Sequence, residues 1–80
     1  MKRKGTAMSY IFDIHHNAQE PAYRSIYFES DSNTYPMQYS RRRWADARQK
    51  HLTEPGDYWT LSDPDGIVYH SVFGRIREVE

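Results

Sequence analysis

The sequence predicts an α+β fold in which one helix packs on a small, twisted antiparallel sheet of about four strands. Three patterns predict it. Apolar and polar residues alternate in several short segments, which is the period of a half-buried strand. Residues 41–52 contain no glycine or proline and carry apolar side chains at helical spacing. Turn-forming residues separate these segments, most clearly at Asp63-Pro64-Asp65-Gly66.

The first two strands are predicted over residues 9–15 and 23–29. In the first, Tyr10, Phe12 and Ile14 alternate with more polar positions, so one face is expected to be buried. The short connection between the two strands carries Asn and Pro, which are turn residues. These two strands are therefore predicted to form an antiparallel hairpin.

The helix is predicted over residues 41–52, with Ser40 as its N-cap. Residues 35–39 fit either a short edge strand or the start of the helix. Trp44 and Leu52 are expected to dock onto the sheet. Arginines at a helix N-terminus oppose the helix dipole at a cost of about 0.3–1 kcal/mol. A sequence that keeps this unfavourable charge pattern is expected to use the arginines for binding or another function, so the pattern is a mild indication of function.

Two further strands are predicted over residues 58–61 and 67–73, and Gly74 is expected to end the second. The last strand is partly apolar on both faces, which favours a central position in the sheet. The predicted order is strand, strand, helix, strand, strand. The sheet face opposite the helix is expected to be partly open to solvent and rich in Tyr and His.

Length and composition limit the classes of protein. The 80 residues are expected to form one domain over residues 8–80, after a disordered basic tail at 1–7 that a non-native extension would explain. The absence of cysteine excludes disulfides, thiolate zinc sites and a cysteine nucleophile, and it favours a reducing cytoplasm. No apolar run has the length of a membrane span. We therefore expect a cytoplasmic monomer that does not bind membranes.

The chemistry-bearing residues do not form a recognisable catalytic or metal motif. His15 and His16 are adjacent in a predicted strand, so their side chains point to opposite faces and cannot chelate one ion. The Asp-Pro-Asp-Gly turn lacks the further oxygens of a calcium loop. There is no nucleophile elbow and no glycine-rich phosphate loop. The sequence therefore predicts no enzyme, no cofactor and no metal; the alternative is an acid–base site at Asp13, Glu29 and His70 on one sheet face.

Charge is the strongest functional signal. The net charge is zero, but one ten-residue block holds five basic residues and a single acid, Asp46. The residues that we predict to bind a partner are Arg41, Arg42, Arg43 and Arg48 as charged contacts, with Tyr35 and Tyr39 as flanking anchors. Three readings of this block stay open: an interface for an acidic protein, a nucleic-acid-binding face with Tyr35, Tyr39 or Tyr69 stacking on bases, and a solvated helix face. The zero net charge favours the first.

The chain resembles small bacteriophage proteins that take over host functions. A start at Met8 would give a chain of 73 of the 80 residues. The shared features are this short length, the lack of cysteine, the many tyrosines, and a sheet–helix unit carrying Ser40-Arg41-Arg42-Arg43-Trp44. In particular, it is similar to small phage regulators that bind host RNA polymerase and redirect transcription. The resemblance implies an adaptor without chemistry of its own that acts in the cytoplasm of a bacterial host. An inhibitor of a bacterial defence complex would have a similar character.

Overall fold

The structure is a computed structural model, and it describes residues 7–77. The predicted disordered tail at residues 1–7 therefore lies, apart from Ala7, outside the described residues. Residues 78–80 lie outside them as well. None of the helices in the described part of the chain is long and apolar enough to cross a membrane.

The predicted α+β fold is confirmed. One helix and five strands follow each other as β1 (Met8–His15), β2 (Arg24–Ser30), α1 (Tyr35–Gln49), β3 (Tyr58–Asp63), β4 (Gly66–His70) and β5 (Gly74–Arg75). The strands form one antiparallel sheet in the order β2-β1-β3-β4-β5. The sheet therefore has one strand more than expected, and β3 is its central strand.

Strand alternation sets the core. In β1, Tyr10, Phe12 and Ile14 are buried, while the residues between them are more exposed. The hairpin of β1 and β2 forms as predicted, with Phe12 opposite Ile26. On the other side β1 pairs with β3, where Phe12 lies opposite Leu61. The buried hydrophobic residues are Tyr10, Phe12, Ile14, Ala47, Trp59, Leu61 and Val68.

The predicted start of the helix is wrong, because α1 begins at Tyr35 and not after Ser40. Pro36 occupies the first turn, where its fixed φ suits the helix and its missing N–H is not needed. The Ser32 Oγ accepts hydrogen bonds from the N–H groups of Thr34 and Tyr35, at 3.1 and 3.2 Å. These donors at the start of α1 are thus satisfied. Ser40 is instead fully buried inside the helix, and its Oγ donates to the Pro36 carbonyl at 2.8 Å.

The end of the helix also differs from the prediction. The N–H of Leu52 bonds the carbonyl of Ala47 at 2.9 Å, and His51 adopts a positive φ of 59°. This geometry is a Schellman C-cap, and it places Leu52 outside the helix with 47% of its surface exposed. Trp44 packs against the core as expected, but Leu52 does not. The arginines at 41–43 lie in the middle of the helix, so they do not oppose the helix dipole. The indication of function that was based on an opposed dipole is therefore wrong.

The predicted strand over residues 67–73 is shorter in the structure and is followed by a turn. The Nδ1 atom of His70 accepts the N–H groups of Val72 and Phe73, at 3.1 and 3.4 Å, which closes the turn. Gly74 then takes a φ of +91° and starts the two-residue strand β5. Val72 and Phe73 consequently project into solvent instead of extending β4.

Candidate functional site

The helix distributes the predicted binding residues over three sides. Successive residues of an α-helix are about 100° apart, and the side of Ser40 and Ala47 faces the sheet. Arg41 and Arg48, seven residues apart, share the flank that faces β4 and β5. Arg43 is on the opposite flank, towards β2. Arg42 is exposed and points away from the sheet.

On the β2 flank, Tyr35, Tyr39 and Arg43 form one cluster. The ring of Phe28 lies 4.1 Å from the ring of Tyr39 and 6.4 Å from that of Tyr35, measured between centroids. The guanidinium carbon of Arg43 is 5.8 Å from the Tyr39 ring centroid, which is cation–π range. The structure thus brings these three predicted residues together, but it holds them against β2 and apart from Arg41 and Arg48.

On the other flank a groove separates α1 from the β4–β5 end of the sheet. Five strands at about 4.8 Å spacing span roughly 19 Å, whereas a helix with its side chains is only about 10–12 Å wide. One helix therefore cannot cover the sheet, and the uncovered part leaves a groove of about 430 Å³. We call this space the α1–β4 groove; it is lined by Asn33, Thr34, Pro36, Met37, Gln38, Arg41, Leu61, Val68, Tyr69, Arg75 and Arg77.

The rim of the α1–β4 groove is basic. Arg41, Arg75 and Arg77 line it, and none of its lining residues is acidic. The guanidinium of Arg77 is fixed by the carboxylate of Asp63 and by the carbonyl of Gly66, the latter at 3.2 Å. Arg75 also has an interaction partner. Arg41 is the rim arginine that is not engaged with another of the residues 7–77.

The helix arginines lack ion-pair partners. Within residues 7–77, no carboxylate lies in salt-bridge range of Arg41, Arg42, Arg43 or Arg48. The neighbouring Lys50, in contrast, pairs with Asp46 at 3.3 Å. A planar guanidinium suits bidentate bonds to carboxylates or phosphates, and these groups are available for an external anion. We call the exposed set Arg41, Arg42 and Arg48 the arginine face.

A second polar cluster, which the sequence did not predict, centres on Asp57. One carboxylate oxygen bonds His16 Nδ1 at 2.8 Å. The other accepts from the Tyr23 hydroxyl at 2.8 Å and from the Glu54 N–H at 2.9 Å. The His16 and Tyr23 rings stack with centroids 3.9 Å apart. The cluster ties the β1–β2 connection to the segment between α1 and β3, and the Asp57 side chain is only 3% exposed.

The bonds within this cluster shift its pKa values. The hydrogen bond to Asp57 raises the pKa of His16, more than partial burial lowers it. Burial alone would raise the pKa of Asp57, but the bonds from His16, from the Glu54 N–H and from Tyr23 outweigh it and lower that pKa. Burial, followed by the bond to Asp57, raises the pKa of Tyr23 to about 12. A protonated His16 therefore stabilises the buried carboxylate.

The same cluster contains three groups of metal-ligand type. Donor atoms of His16, Glu54 and Asp57 lie within 4.8 Å of one another, and one imidazole with two carboxylates suits a transition metal. However, His16 and Asp57 already bond each other, so an ion would have to displace that hydrogen bond. Sequence spacing could not reveal the group, because His16 is 41 residues from Asp57 and meets it only through the β1–β3 pairing.

The open face of the sheet carries a row of stacked rings. His15, Tyr58 and His70 follow each other at centroid distances of 4.9 and 4.8 Å, and Phe73 continues the row at 4.4 Å. The predicted richness of this face in Tyr and His is confirmed. Burial, followed by the charge of His15, lowers the pKa of His70. Its Nδ1 accepts backbone N–H groups, which also favours the neutral ring.

The three residues of the alternative acid–base site do not converge. Asp13 lies opposite Ser25 and accepts a hydrogen bond from its hydroxyl. Glu29 is four residues further along β2, roughly 13 Å away at the rise of a strand. His70 is two strands from Asp13 and is engaged in the ring stack. None of the three lines the α1–β4 groove.

Comparison of the chain with protein-family models, with curated proteins and with solved structures gives no match.

Proposed function

We propose that this chain is a non-catalytic binding protein that recognises an acidic surface of a protein partner through its arginine face. The observation that carries the proposal is the set of helix arginines without ion-pair partners among residues 7–77. Arg41, Arg42 and Arg48 project from a helix that is anchored to the core by Ala47 and Trp44. The helix fixes the positions of their Cα atoms, but each long side chain still loses rotamer entropy when a partner binds.

The arginine face is expected to act mainly through electrostatic attraction. Exposed ion pairs contribute only about 0.2–1 kcal/mol each, so three arginines alone do not make a tight complex. They do steer an acidic partner to this side of the molecule and fix its orientation. Apolar contacts must supply the remaining affinity, and the α1–β4 groove lies directly beside Arg41.

Binding to nucleic acid is supported less well. Two of the three tyrosines expected to stack on bases pack against other rings, Tyr39 against Phe28 at 4.1 Å and Tyr69 against Trp59 at 5.3 Å between centroids, while Tyr35 is 38% exposed. The net charge of zero also gives no general attraction to a polyanion. These observations favour a protein partner.

The identity of that partner stays a prediction from the sequence. A large host complex such as RNA polymerase is the first candidate, through the resemblance to phage regulators. A complex of bacterial defence is the second. This chain would bind either complex without catalysing a reaction.

The test is a comparative pull-down from nuclease-treated bacterial lysate, read by mass spectrometry. The variants are Arg42→Glu, on the arginine face, and Arg24→Glu, an exposed arginine of β2 that gives the same change in charge. The wild type and Arg24→Glu are expected to capture the same protein complex, and Arg42→Glu is expected to lose most of it. Equal capture by all three proteins would refute the role of the arginine face.

The dependence of binding on salt concentration distinguishes a nucleic-acid partner from a protein partner. Binding to duplex DNA falls with a log–log slope of about −0.9 per phosphate neutralised. A partner that disappears after nuclease treatment, with such a slope in a direct titration, would replace the protein-binding proposal by nucleic-acid binding. A protein complex anchored by apolar contacts is expected to depend less steeply on salt.

A further inference from the structure

We infer that the α1–β4 groove is the anchoring site for a short acidic peptide segment of the partner. An aliphatic or aromatic side chain of the peptide enters the groove against Met37 and Tyr69, and a neighbouring carboxylate meets Arg41. The inference rests on the proposed function and makes it more specific. It assigns the groove to one type of occupant, a peptide that combines acidic and apolar side chains.

The floor of the groove suits an apolar side chain. Leu61 and Val68 lie beneath it with almost no exposure to solvent, so the apolar surface that a peptide side chain can reach is that of Met37 and Tyr69, which are both half-buried. Met37 and Pro36 belong to the wall on the helix side. Met37 is unbranched and adaptable, so it can close around side chains of different shapes. A volume of about 430 Å³ also lies within the range of ligand sites, roughly 300–1,000 Å³.

The rim suits a carboxylate. The groove is lined by three arginines and by no acidic residue. Arg77 and Arg75 have partners and are held in place, while Arg41 retains its donors for a ligand. The helix begins beside the groove and has no acidic residue in its first turn, so its positive end adds to the potential there. A peptide that carries carboxylates next to its apolar side chain is therefore complementary in charge.

The polar groups at the groove suit a peptide backbone. Gln38 lies on the helix side of the groove and provides both a donor and an acceptor through its side-chain amide. On the opposite side, Tyr69 contributes an amphipathic ring that is half-buried. An extended segment that runs between these two walls would place one side chain into the groove and the next ones towards the rim, because side chains alternate along extended backbone.

The chain contains its own reporters for this test. Of its three methionines, Met37 lines the groove, whereas Met8 packs against the core at the start of β1. The protein is labelled with 13C at the methionine methyl groups and titrated with the capped peptide Asp-Glu-Leu-Asp-Glu. We expect the Met37 methyl resonance to shift in a saturable way and the Met8 resonance to stay in place.

Two control peptides separate the contributions. Asp-Glu-Ser-Asp-Glu keeps the charges and lacks the apolar side chain, and Lys-Lys-Leu-Lys-Lys keeps the apolar side chain and reverses the charges. Both are expected to shift the Met37 resonance much less. An equal response to the lysine peptide would overturn the acidic specificity, and an equal response to the serine peptide would overturn the apolar anchor.

Two exposed arginines, one at the rim of the groove and one on β2, provide the matched variants. Arg41→Glu changes the rim of the groove, and Arg24→Glu makes the same change in charge on β2, on the other side of the sheet. We expect Arg41→Glu to weaken peptide binding about tenfold or more, the effect of losing one charge-assisted hydrogen bond, and Arg24→Glu to weaken it less than about threefold. Gln38→Glu, which adds a negative charge and removes no arginine, is expected to weaken binding as well. Circular dichroism confirms that each variant is folded.

The outcomes separate this inference from the proposed function. If Arg41→Glu and Arg24→Glu weaken peptide binding equally, the effect follows the net charge and the groove is not the site, while the pull-down with Arg42→Glu still tests the arginine face. If no peptide shifts the Met37 resonance at millimolar concentration, the groove assignment is wrong, and the pull-down with Arg42→Glu alone decides the proposed function.

Discussion

The two leucines of the chain provide a sensitive test of where α1 ends. Leu52 and Leu61 are both expected in the core by sequence pattern, but the structure separates them: Leu61 is 0% exposed, and Leu52 is 47% exposed after the Schellman cap. The same substitution, Leu→Ala, should therefore have very different effects on the free energy of unfolding.

The magnitudes follow from burial. Leu61→Ala removes atoms that are fully enclosed by the sheet and helix, which costs about 2–5 kcal/mol including the cavity that remains. Leu52→Ala removes a side chain that is already half in water, and its cost is expected below about 1 kcal/mol. A domain of this length has a total stability of roughly 4–12 kcal/mol, so Leu61→Ala removes a large share of it. The melting temperatures should differ by about 4 °C or more.

The assay is urea unfolding, followed by tryptophan fluorescence and by circular dichroism in parallel. The wild type and Leu52→Ala are expected to unfold at similar urea concentrations, and Leu61→Ala at a much lower one with a similar slope. If Leu61→Ala is too unstable to give a folded baseline, a stabilising osmolyte such as sucrose restores one. Equal costs for the two substitutions would mean that Leu52 is in the core and that α1 continues to residue 52.

Three further predictions test other parts of the structure. In NMR titrations, the pKa of His16 should lie above the unfolded value of about 6.5 and the pKa of His70 below it. The stability that His16 contributes is therefore full below pH ~6.5 and is lost as pH rises through its raised pKa, whereas His70 makes the fold less stable as pH falls below ~6.5. Identical midpoints for the two histidines would contradict the bond between His16 and Asp57. Ser40→Asp should lower the free energy of unfolding by several kcal/mol in thermal melts, because Ser40 is buried within α1, while an N-cap position would accept Asp without loss. Gly74→Ala should cost about 1–2 kcal/mol in urea unfolding through its φ of +91° alone, since no atom lies within 4 Å of an added Cβ; an unchanged midpoint would argue against that conformation.

The local patterns of the sequence predicted the strands well. Period-2 alternation placed Tyr10, Phe12 and Ile14 in the core, and the turn residues placed both hairpins. These features depend on neighbours in sequence, so one sequence carries enough information for them. The four arginines lie on the helix as predicted, Tyr35 and Tyr39 lie on it where the sequence left strand and helix open, and the binding role of all six stays a prediction.

The start of the helix was missed because a competing local signal was available. Ser40 precedes a run without Gly or Pro and looks like an N-cap, but Thr34 and Pro36 mark the true start through the preference of Pro for the first turn. The Asp57 cluster and the α1–β4 groove could not be predicted at all. The cluster depends on which strands are neighbours in the sheet, and the groove depends on how much of the sheet one helix covers. A short stretch of sequence determines neither.

The two edges of the sheet have very different lengths. In the described part of the chain, β2 pairs only with β1 and offers seven residues along its outer side, whereas β5 at the opposite edge has only two. Two copies that joined along β2 would build one continuous ten-stranded sheet with the short β5 at both ends. Within residues 7–77, an edge of two residues offers few backbone groups to a further strand, so we expect such growth to stop at the pair. Light scattering at high concentration should then detect at most dimers.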